Sequence, residues 1–466
     1  MSRNAKRLAI VVGGGPAPGI NGVIGAAAIE AINNGLSVVG FYDGFKWLTG
    51  ERFVRERHMT ELTIGSVARI HFEGGSILRT DRANLLDEAT LGEETLVRPD
   101  PIKTDNVLRQ FPECGVTHLI TIGGDDTALS ARFIAEKSAG RIRVVHVPKT
   151  IDNDLPLPGD VPTFGYNTAR DLGATLAANL MEDSKTTSRW YIVVAMGRHA
   201  GFLALGIGKA AGTTVTLIPE EFPESTTISR ITDVLEGSVL KRMAMGRRDG
   251  VAVVAEGLAY RLGDVQELEK LLGRTVPVDA AGHPRLAEVP LARMLADELT
   301  RRFAARKDNI TFVPQTIGYM LRCAQPSPFD MAYCRDLGHG AIRLLLSDMN
   351  LDGGVMVTLQ DGNLEPVRFD SMVDPVTNRT RIRVVDVRSD SYRVARAYMI
   401  RLEKQDLNDP VMLAKLARAA KMPDAEFADR YRQAATRIYE MHEGDTPAKT
   451  TQSPMIASTT VTAPVS

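Results

Sequence analysis

Two rhythms of apolar and polar residues run along this chain. Short unbroken apolar runs, of the kind a strand buried on both faces needs, alternate with longer stretches in which small and apolar residues return at helical spacing. Arg7 to Val12 predicts a strand, Ile20 to Ile32 a helix and Ser37 to Tyr42 a second strand; Asn33-Asn34-Gly35 stops the helix with a glycine suited to a left-handed cap. Thr104 to Gln110, Thr117 to Ile122, Ala128 to Lys137 and Ile142 to Val147 then predict helix, strand, helix, strand. A second series runs through helix Asn167 to Met181, strand Trp190 to Ala195, helix Gly201 to Ala211, strand Thr214 to Ile218, helix Thr226 to Met243 and strand Val251 to Ala255.

Repetition of this kind predicts an α/β fold: two Rossmann-like three-layer domains with mostly parallel sheets facing a central cleft, plus C-terminal helices. Residues 1–163 with about 324–400 are expected to form one domain and 164–323 the other. Within the second, 258–309 reads as a surface-packed insertion whose helix carries Leu291, Leu295, Leu299 and Phe303 on one face. Ile310 to Ile317 predicts a further strand. Residues 401–443 are expected to be helical, one helix starting at the Asp409-Pro410 cap and another spanning about Asp424 to Met441. The Thr-, Ser-, Ala- and Pro-rich stretch 444–466 lacks periodicity and is expected to be disordered.

Composition narrows the partners. The chain has 466 residues, 44% of them hydrophobic and 24% charged, and a net charge of −1, so neither nucleic acid nor a membrane surface is expected and any anion site must be local. Three sparse cysteines suit a reducing cytoplasm, and the apolar run Leu8 to Val12 is too short for a signal segment or a membrane span.

Chemistry concentrates where strands end. Gly13-Gly14-Gly15-Pro16-Ala17-Pro18-Gly19 can bring backbone close to a phosphate, but a tight strand-to-helix turn would read the same way. Gly123-Gly124-Asp125-Asp126-Thr127 opens a helix; both carboxylates could serve as helix caps, yet two of them after a glycine pair point to at least one facing a divalent cation such as Mg²⁺, for which Asp125 is the choice. Pro148-Lys149-Thr150-Ile151-Asp152-Asn153-Asp154 places a cation and a base at one strand end, as transfer of a phosphoryl group to an alcohol requires. Arg82, Arg189, Arg198 and Arg322 recur at strand ends or turns, where guanidinium groups clamp phosphate.

In this order, and with Met196-Gly197-Arg198, Glu256 and Gly318-Tyr319-Met320-Leu321-Arg322, the segments resemble 6-phosphofructokinases from residue 8 to about 345. The resemblance implies that residues 1–163 with about 324–400 bind the phosphoryl donor and 164–323 bind fructose 6-phosphate. Asp152 would deprotonate the carbon-1 hydroxyl, Asp125 would hold Mg²⁺, and Thr150 with Arg198 would steady the phosphoryl group. Gly15 and Arg82 would take part in substrate binding, Arg82 as one of the sugar-phosphate clamps, and Asp126 would face the donor. Asp154, Met196, Gly197, Glu256, Tyr319 and Arg322 would hold the sugar and its phosphate, with Arg189 supplied by a neighbouring subunit of a homodimer or homotetramer. ATP-using bacterial relatives place a second cross-subunit arginine where this chain has Val313, so that contact is absent or comes from elsewhere, Lys307 being one candidate; Tyr319 stands where those relatives have a histidine.

The donor turns on Asp126. ATP-dependent members usually have glycine there, leaving room for the nucleotide's α-phosphate, whereas a carboxylate crowds and repels it. Lys149 resembles the pyrophosphate-dependent branch. The expected reaction is reversible transfer from pyrophosphate to fructose 6-phosphate, giving fructose 1,6-bisphosphate and phosphate; an ATP-dependent enzyme is the alternative and a non-catalytic regulatory subunit a more distant one.

Overall fold

The computed structural model describes residues 6–91, 94–263, 269–270, 273, 275 and 289–436. Its strands in chain order are β1 (Arg7–Val12), β2 (Ser37–Phe41), β3 (Met59–Leu62), β4 (Leu86–Leu91), β5 (Glu94–Pro99), β6 (His118–Gly123), β7 (Arg143–Thr150) and β8 (Phe164–Gly165). They continue with β9 (Trp190–Ala195), β10 (Val215–Leu217), β11 (Gly250–Ala255), β12 (Phe312–Ile317), β13 (Val355–Met356), β14 (Leu359–Gln360), β15 (Asn363–Leu364) and β16 (Val367–Arg368).

Two sheets carry the site. The first runs β16-β13-β7-β6-β1-β2-β3, with β8 beside β7, and the second runs β10-β11-β9-β12. The pairs β1–β2, β1–β6, β6–β7 and β7–β13 are parallel, as are all pairs of the second sheet; only β3 and β16 join antiparallel, at the two edges. Parallel strands buried on both faces explain the unbroken apolar runs. Leu8, Ile10 and Val12 point to one side and join the apolar layer under the helices Ile20–Asn33 and Pro328–Leu346, while Ala9 and Val11 face the opposite layer with Leu119 and Val144. The first helix ends as its sequence predicts, at Asn34 followed by Gly35 with φ 80°.

One expectation is corrected. Leu291, Leu295, Leu299 and Phe303 do lie on one helical face, but the helix Leu291–Ala305 is a core layer of the second sheet rather than a surface insertion. All four are buried, packed with Trp190, Val254 and Phe312, and each fully buried side chain of this size contributes about 1.5–3 kcal/mol. Of the charged interlude 257–309 that prompted the surface reading, most of 264–288 lies outside the described residues. The C-terminal helix expected to reach Met441 is described over Asp424–Tyr431, and 444–466 lies outside the described residues. Asp409 caps the preceding helix by accepting a hydrogen bond from Val411 N–H at 2.9 Å. Among the described residues no helix is long and apolar enough to cross a membrane.

Candidate active site

Because strands within each sheet are parallel, the loops leaving their carboxyl ends gather on one side, where α/β sheets place ligands. Gly13 to Gly15 leaves β1, Gly124 to Asp126 leaves β6, and Ile151 to Asp154 follows β7. Met196 to Arg198 leaves β9, Glu256 follows β11, and Gly318 to Arg322 follows β12.

The two glycine loops owe their sequence to close packing. A Cβ on Gly13 would lie 2.4 Å from Thr127 Oγ1 and one on Gly123 2.3 Å from Thr127 Cβ, so Thr127 wedges between two backbones that only glycine allows to approach. Gly14 is further held by Thr80, whose hydroxyl donates to its carbonyl, and by its own N–H donating to Asp81 at 2.8 Å. Arg82 follows this contact and is exposed beside the loop.

Lys149, at 4% exposure, points its ammonium into the Gly13–Gly15 turn and donates to the Gly15 carbonyl. Arg322 reaches the same turn from the second sheet, its Nε 3.4 Å from the Pro16 carbonyl and its guanidinium where a Cβ on Gly15 would stand. Burial, with the like charges of Arg198 and Arg322, brings the Lys149 ammonium down to about 8, against the pull of Asp152 and Asp125.

Four carboxylates border the cleft: Asp125, Asp126, Asp152 and Asp154. Asp152 is buried, its backbone N–H tied to Thr150 Oγ1 at 3.0 Å, and its Oδ1 has no hydrogen-bond partner among the described residues. Burial raises its carboxyl, opposed by Arg198 and Lys149. Burial and the charges of Asp152 and Asp125 raise Asp154 to about 7. Asp126 opens to solvent at the cleft mouth, yet the surrounding protein and the adjacent Asp125 raise it to about 6. The N-cap of the helix Asp125–Ser138 is Gly124, without a side-chain cap, and Asp125 and Asp126 stand in its first turn, where the helix dipole favours carboxylates.

Arg198 spans the cleft, its Nη1 3.1 Å and 3.3 Å from the two carboxylate oxygens of Asp125. Its backbone is left-handed at φ 48°, as is that of Asn153 at φ 57°, a conformation that non-glycine residues adopt at some cost. Around it Glu256 Oε2 accepts from Gly197 N–H at 3.3 Å, and the Met196 side chain packs over Gly318. Burial and then Asp152 raise Glu256. Tyr319 is 76% exposed at the mouth, with the Arg322 guanidinium 5.5 Å from its ring centre.

One predicted residue does not join this group. Arg189 precedes β9, at the strand end opposite Met196, and six strand residues separate the two by roughly 20 Å. Lys307 and Val313 lie towards that same amino end of the parallel partner β12. Sequence reasoning also missed Arg383. It fixes the loop after β7, donating through Nε to the Asn153 carbonyl at 3.1 Å, through Nη1 to the Val161 carbonyl at 2.8 Å, and to Asn153 Oδ1.

No group of three or more His, Cys, Asp or Glu among the described residues is arranged as a closed metal site. The donor set nevertheless fits Mg²⁺, which needs one or two carboxylates and takes its other oxygens from phosphate and water. Asp125 is partly exposed, and Asp152 keeps an unpartnered oxygen; burial first, and neighbouring carboxylates after it, raise Asp126 and Asp154.

The phosphofructokinase family pattern matches residues 7–345. The chain is 54% identical over 427 residues to a pyrophosphate–fructose 6-phosphate 1-phosphotransferase of Thermotoga maritima, covering 92% of this chain and 98% of that one. It is 48% identical over 438 residues to the Naegleria fowleri protein of the same name, covering 92% and 96%. Among solved structures, the Pichia pastoris phosphofructokinase in the T-state aligns with a TM-score of 0.59 at 20% identity, over 93% of this chain and 39% of that longer one, a likeness of fold. Sheet order, cleft and sequence agree, and the chain belongs to the phosphofructokinase family.

Proposed function

We propose that this chain transfers a phosphoryl group from pyrophosphate to the carbon-1 hydroxyl of fructose 6-phosphate, giving fructose 1,6-bisphosphate and orthophosphate in a reversible reaction. The observation that carries the donor assignment is Asp126. Its carboxylate stands in the first turn of its helix, at the cleft mouth beside Asp125, where it opposes the additional phosphate of a nucleotide. The relatives named for pyrophosphate, at 54% and 48% identity over nearly their whole length, support the same reading.

Within this reaction Asp152 is the base. Burial brings its pKa upward and towards that of an effective general base, and its unpartnered Oδ1 is available to the substrate hydroxyl. Lys149, Thr150 and Arg198 stabilise charge on the phosphoryl group as it moves between oxygens. Gly15 and Arg82 take part in substrate binding, and Asp126 faces the donor. Asp154, Met196, Gly197, Glu256, Tyr319 and Arg322 hold the sugar phosphate. Asp125 would hold Mg²⁺, which when bound neutralises donor charge and polarises the phosphoryl oxygens.

The sheet containing β1, β6 and β7 belongs to the donor side and the β9 sheet to the sugar side. Arg189, turned away from its own cleft, completes the site of a neighbouring subunit in a homodimer or homotetramer. The setting is the cytoplasm. A coupled assay with pyrophosphate and with ATP tests the donor, alongside Asp126→Gly, which should raise the ratio of kcat/KM for ATP to that for pyrophosphate. Turnover with ATP alone, or an unchanged ratio in the variant, contradicts the role of Asp126.

A further inference from the structure

Beyond residue 345, where the family pattern ends, the chain returns to the back of the cleft as an irregular segment at 381–386. There Arg383 holds the loop after β7 with backbone and side chain together. Its backbone N–H donates to the Asp154 carbonyl at 2.8 Å, Nε to the Asn153 carbonyl at 3.1 Å, Nη1 to the Val161 carbonyl at 2.8 Å, and Nη2 to Asn153 Oδ1. Asn153 sits between Asp152 and Asp154 with a left-handed backbone at φ 57°, and its Oδ1 also accepts from Thr163 N–H at 3.0 Å. The Arg383 guanidinium lies 5.4 Å from the ring centre of Phe202, which opens the helix that follows the Arg198 loop.

Two residues on, the same segment is fastened to the second sheet. Val385 N–H donates to Glu220 Oε1 at 2.9 Å, and that oxygen also accepts from Gly201 N–H at 2.9 Å, three residues past Arg198. The Val385 side chain is buried in one apolar cluster with Ile151, Leu203 and Ile218. Asp152 and Arg198 follow strands of different sheets, β7 and β9, so the hydrogen bonds of neither sheet set their separation. Residues 383 to 385 bridge that gap with hydrogen bonds on both sides.

We propose that Arg383 is a positioning residue for the transfer step, holding the loop of Asp152 at a fixed distance from the loop of Arg198. The inference rests on the reading of Asp152 as the base. Each nitrogen of the guanidinium has an acceptor in the loop after β7, so Arg383 acts through that loop rather than on the substrate. A left-handed non-glycine residue persists only where its surroundings hold it, and Arg383 meets both the carbonyl and the side chain of Asn153. Without the guanidinium Asn153 is free to relax, and Asp152, next to it in the chain, moves with it. A displacement of about 1 Å at a reacting group is enough to lower the rate about 10²-fold. Lys149 and Thr150 belong to β7 itself, whose ladder keeps them in place, so contacts to the donor survive the change.

Steady-state kinetics of the full chain with Arg383→Ala, Arg383→Lys and Asp152→Ser, and with Arg383→Ala combined with Asp152→Ser, tests this. Arg383→Ala is expected to lower kcat about 10²-fold with KM for pyrophosphate within about threefold, and Arg383→Lys, which keeps the charge but not the planar fork, to regain part of the loss. Because Arg383 acts through Asp152, removing it from Asp152→Ser should lower the residual kcat less than about threefold. An unchanged kcat in Arg383→Ala, a KM for pyrophosphate that rises as far as kcat falls, or an equal fold loss in both backgrounds would mark a residue that only supports the fold and overturn the inference. Should Arg383→Ala not fold, Arg383→Lys is read by the same three criteria. Asp152→Ser with wild-type activity contradicts the reading of the base; an enzyme that needs Asp152 but is indifferent to Arg383→Ala contradicts this inference alone.

Discussion

Lys149 is a buried cation whose proton can be removed with ordinary buffers. Its ammonium lies at about 8 because burial and the charges of Arg198 and Arg322 outweigh Asp152 and Asp125. Only the protonated form neutralises phosphate. Raising the pH through that value therefore removes the charge, and kcat/KM for pyrophosphate, which reports the free enzyme, should fall to about a tenth of its plateau one pH unit above it. Bound pyrophosphate favours the ammonium, so the alkaline limb of kcat should lie at higher pH than that of kcat/KM. Lys149→Arg keeps a charge that does not titrate and should lose the alkaline limb, with lower activity because the planar guanidinium cannot reproduce the contact at the Gly15 carbonyl. Lys149→Met should reduce turnover about 10²–10³-fold at every pH, the usual effect of removing one group that stabilises developing charge. Following fructose 1,6-bisphosphate formation with a coupled assay between about pH 6 and pH 10 gives all three profiles. An alkaline limb that survives unchanged in Lys149→Arg would refute the assignment.

Three further outcomes are expected. Gly15→Ala places a Cβ 1.6 Å from Arg322 Nη2, so the guanidinium must leave the turn; KM for fructose 6-phosphate should rise with little loss of thermal stability, and an unchanged KM would remove Arg322 from the sugar phosphate. Asp154 titrates at about 7 in the folded chain, well above an unfolded aspartate, so between those values the folded state binds more protons and stability falls as pH rises. Asp154→Asn should accordingly raise the unfolding free energy above pH 7 by about 1 kcal/mol or more while reducing activity, which calorimetry at two pH values would check. Arg189→Ala and Asp152→Ser should each be nearly inactive alone, and refolding them as a mixture should restore about a quarter or less of wild-type activity by pairing an intact Asp152 with an intact Arg189; no recovery in a verified mixed oligomer would place Arg189 outside the neighbour's site.

Legibility in the sequence followed the physics of each element. Strands β1, β6, β7, β9 and β11 are buried on both faces, so their runs are largely apolar, the buried Thr121 and His146 of β6 and β7 pairing with each other at 2.8 Å, and the glycines and carboxylates after them stand out. The helix Leu291–Ala305 was legible in periodicity but not in placement, because an i, i+4 stripe records that one face is buried and not which sheet buries it. Hairpin β4–β5 was missed: Leu86–Leu91 and Glu94–Pro99 mix charges with few apolar residues, of which Leu86 and Val97 join a small cluster with Leu129, Phe133 and Val373. Arg383 sits in a charged segment without periodicity, and only tertiary structure brings it to the loop after β7. At Asp126 the sequence allowed a helix-start carboxylate or a donor-facing one; the structure puts it in the first turn of its helix and exposed, a position compatible with both.

The central claim is that pyrophosphate is the donor and that its formation is the reverse reaction. Incubating the wild-type protein and Mg²⁺ with fructose 1,6-bisphosphate and orthophosphate, and following phosphorus by magnetic resonance, tests it in one vessel. The account predicts that a pyrophosphate signal grows as fructose 6-phosphate forms. No pyrophosphate with orthophosphate, but ATP formed when ADP takes its place, would contradict it.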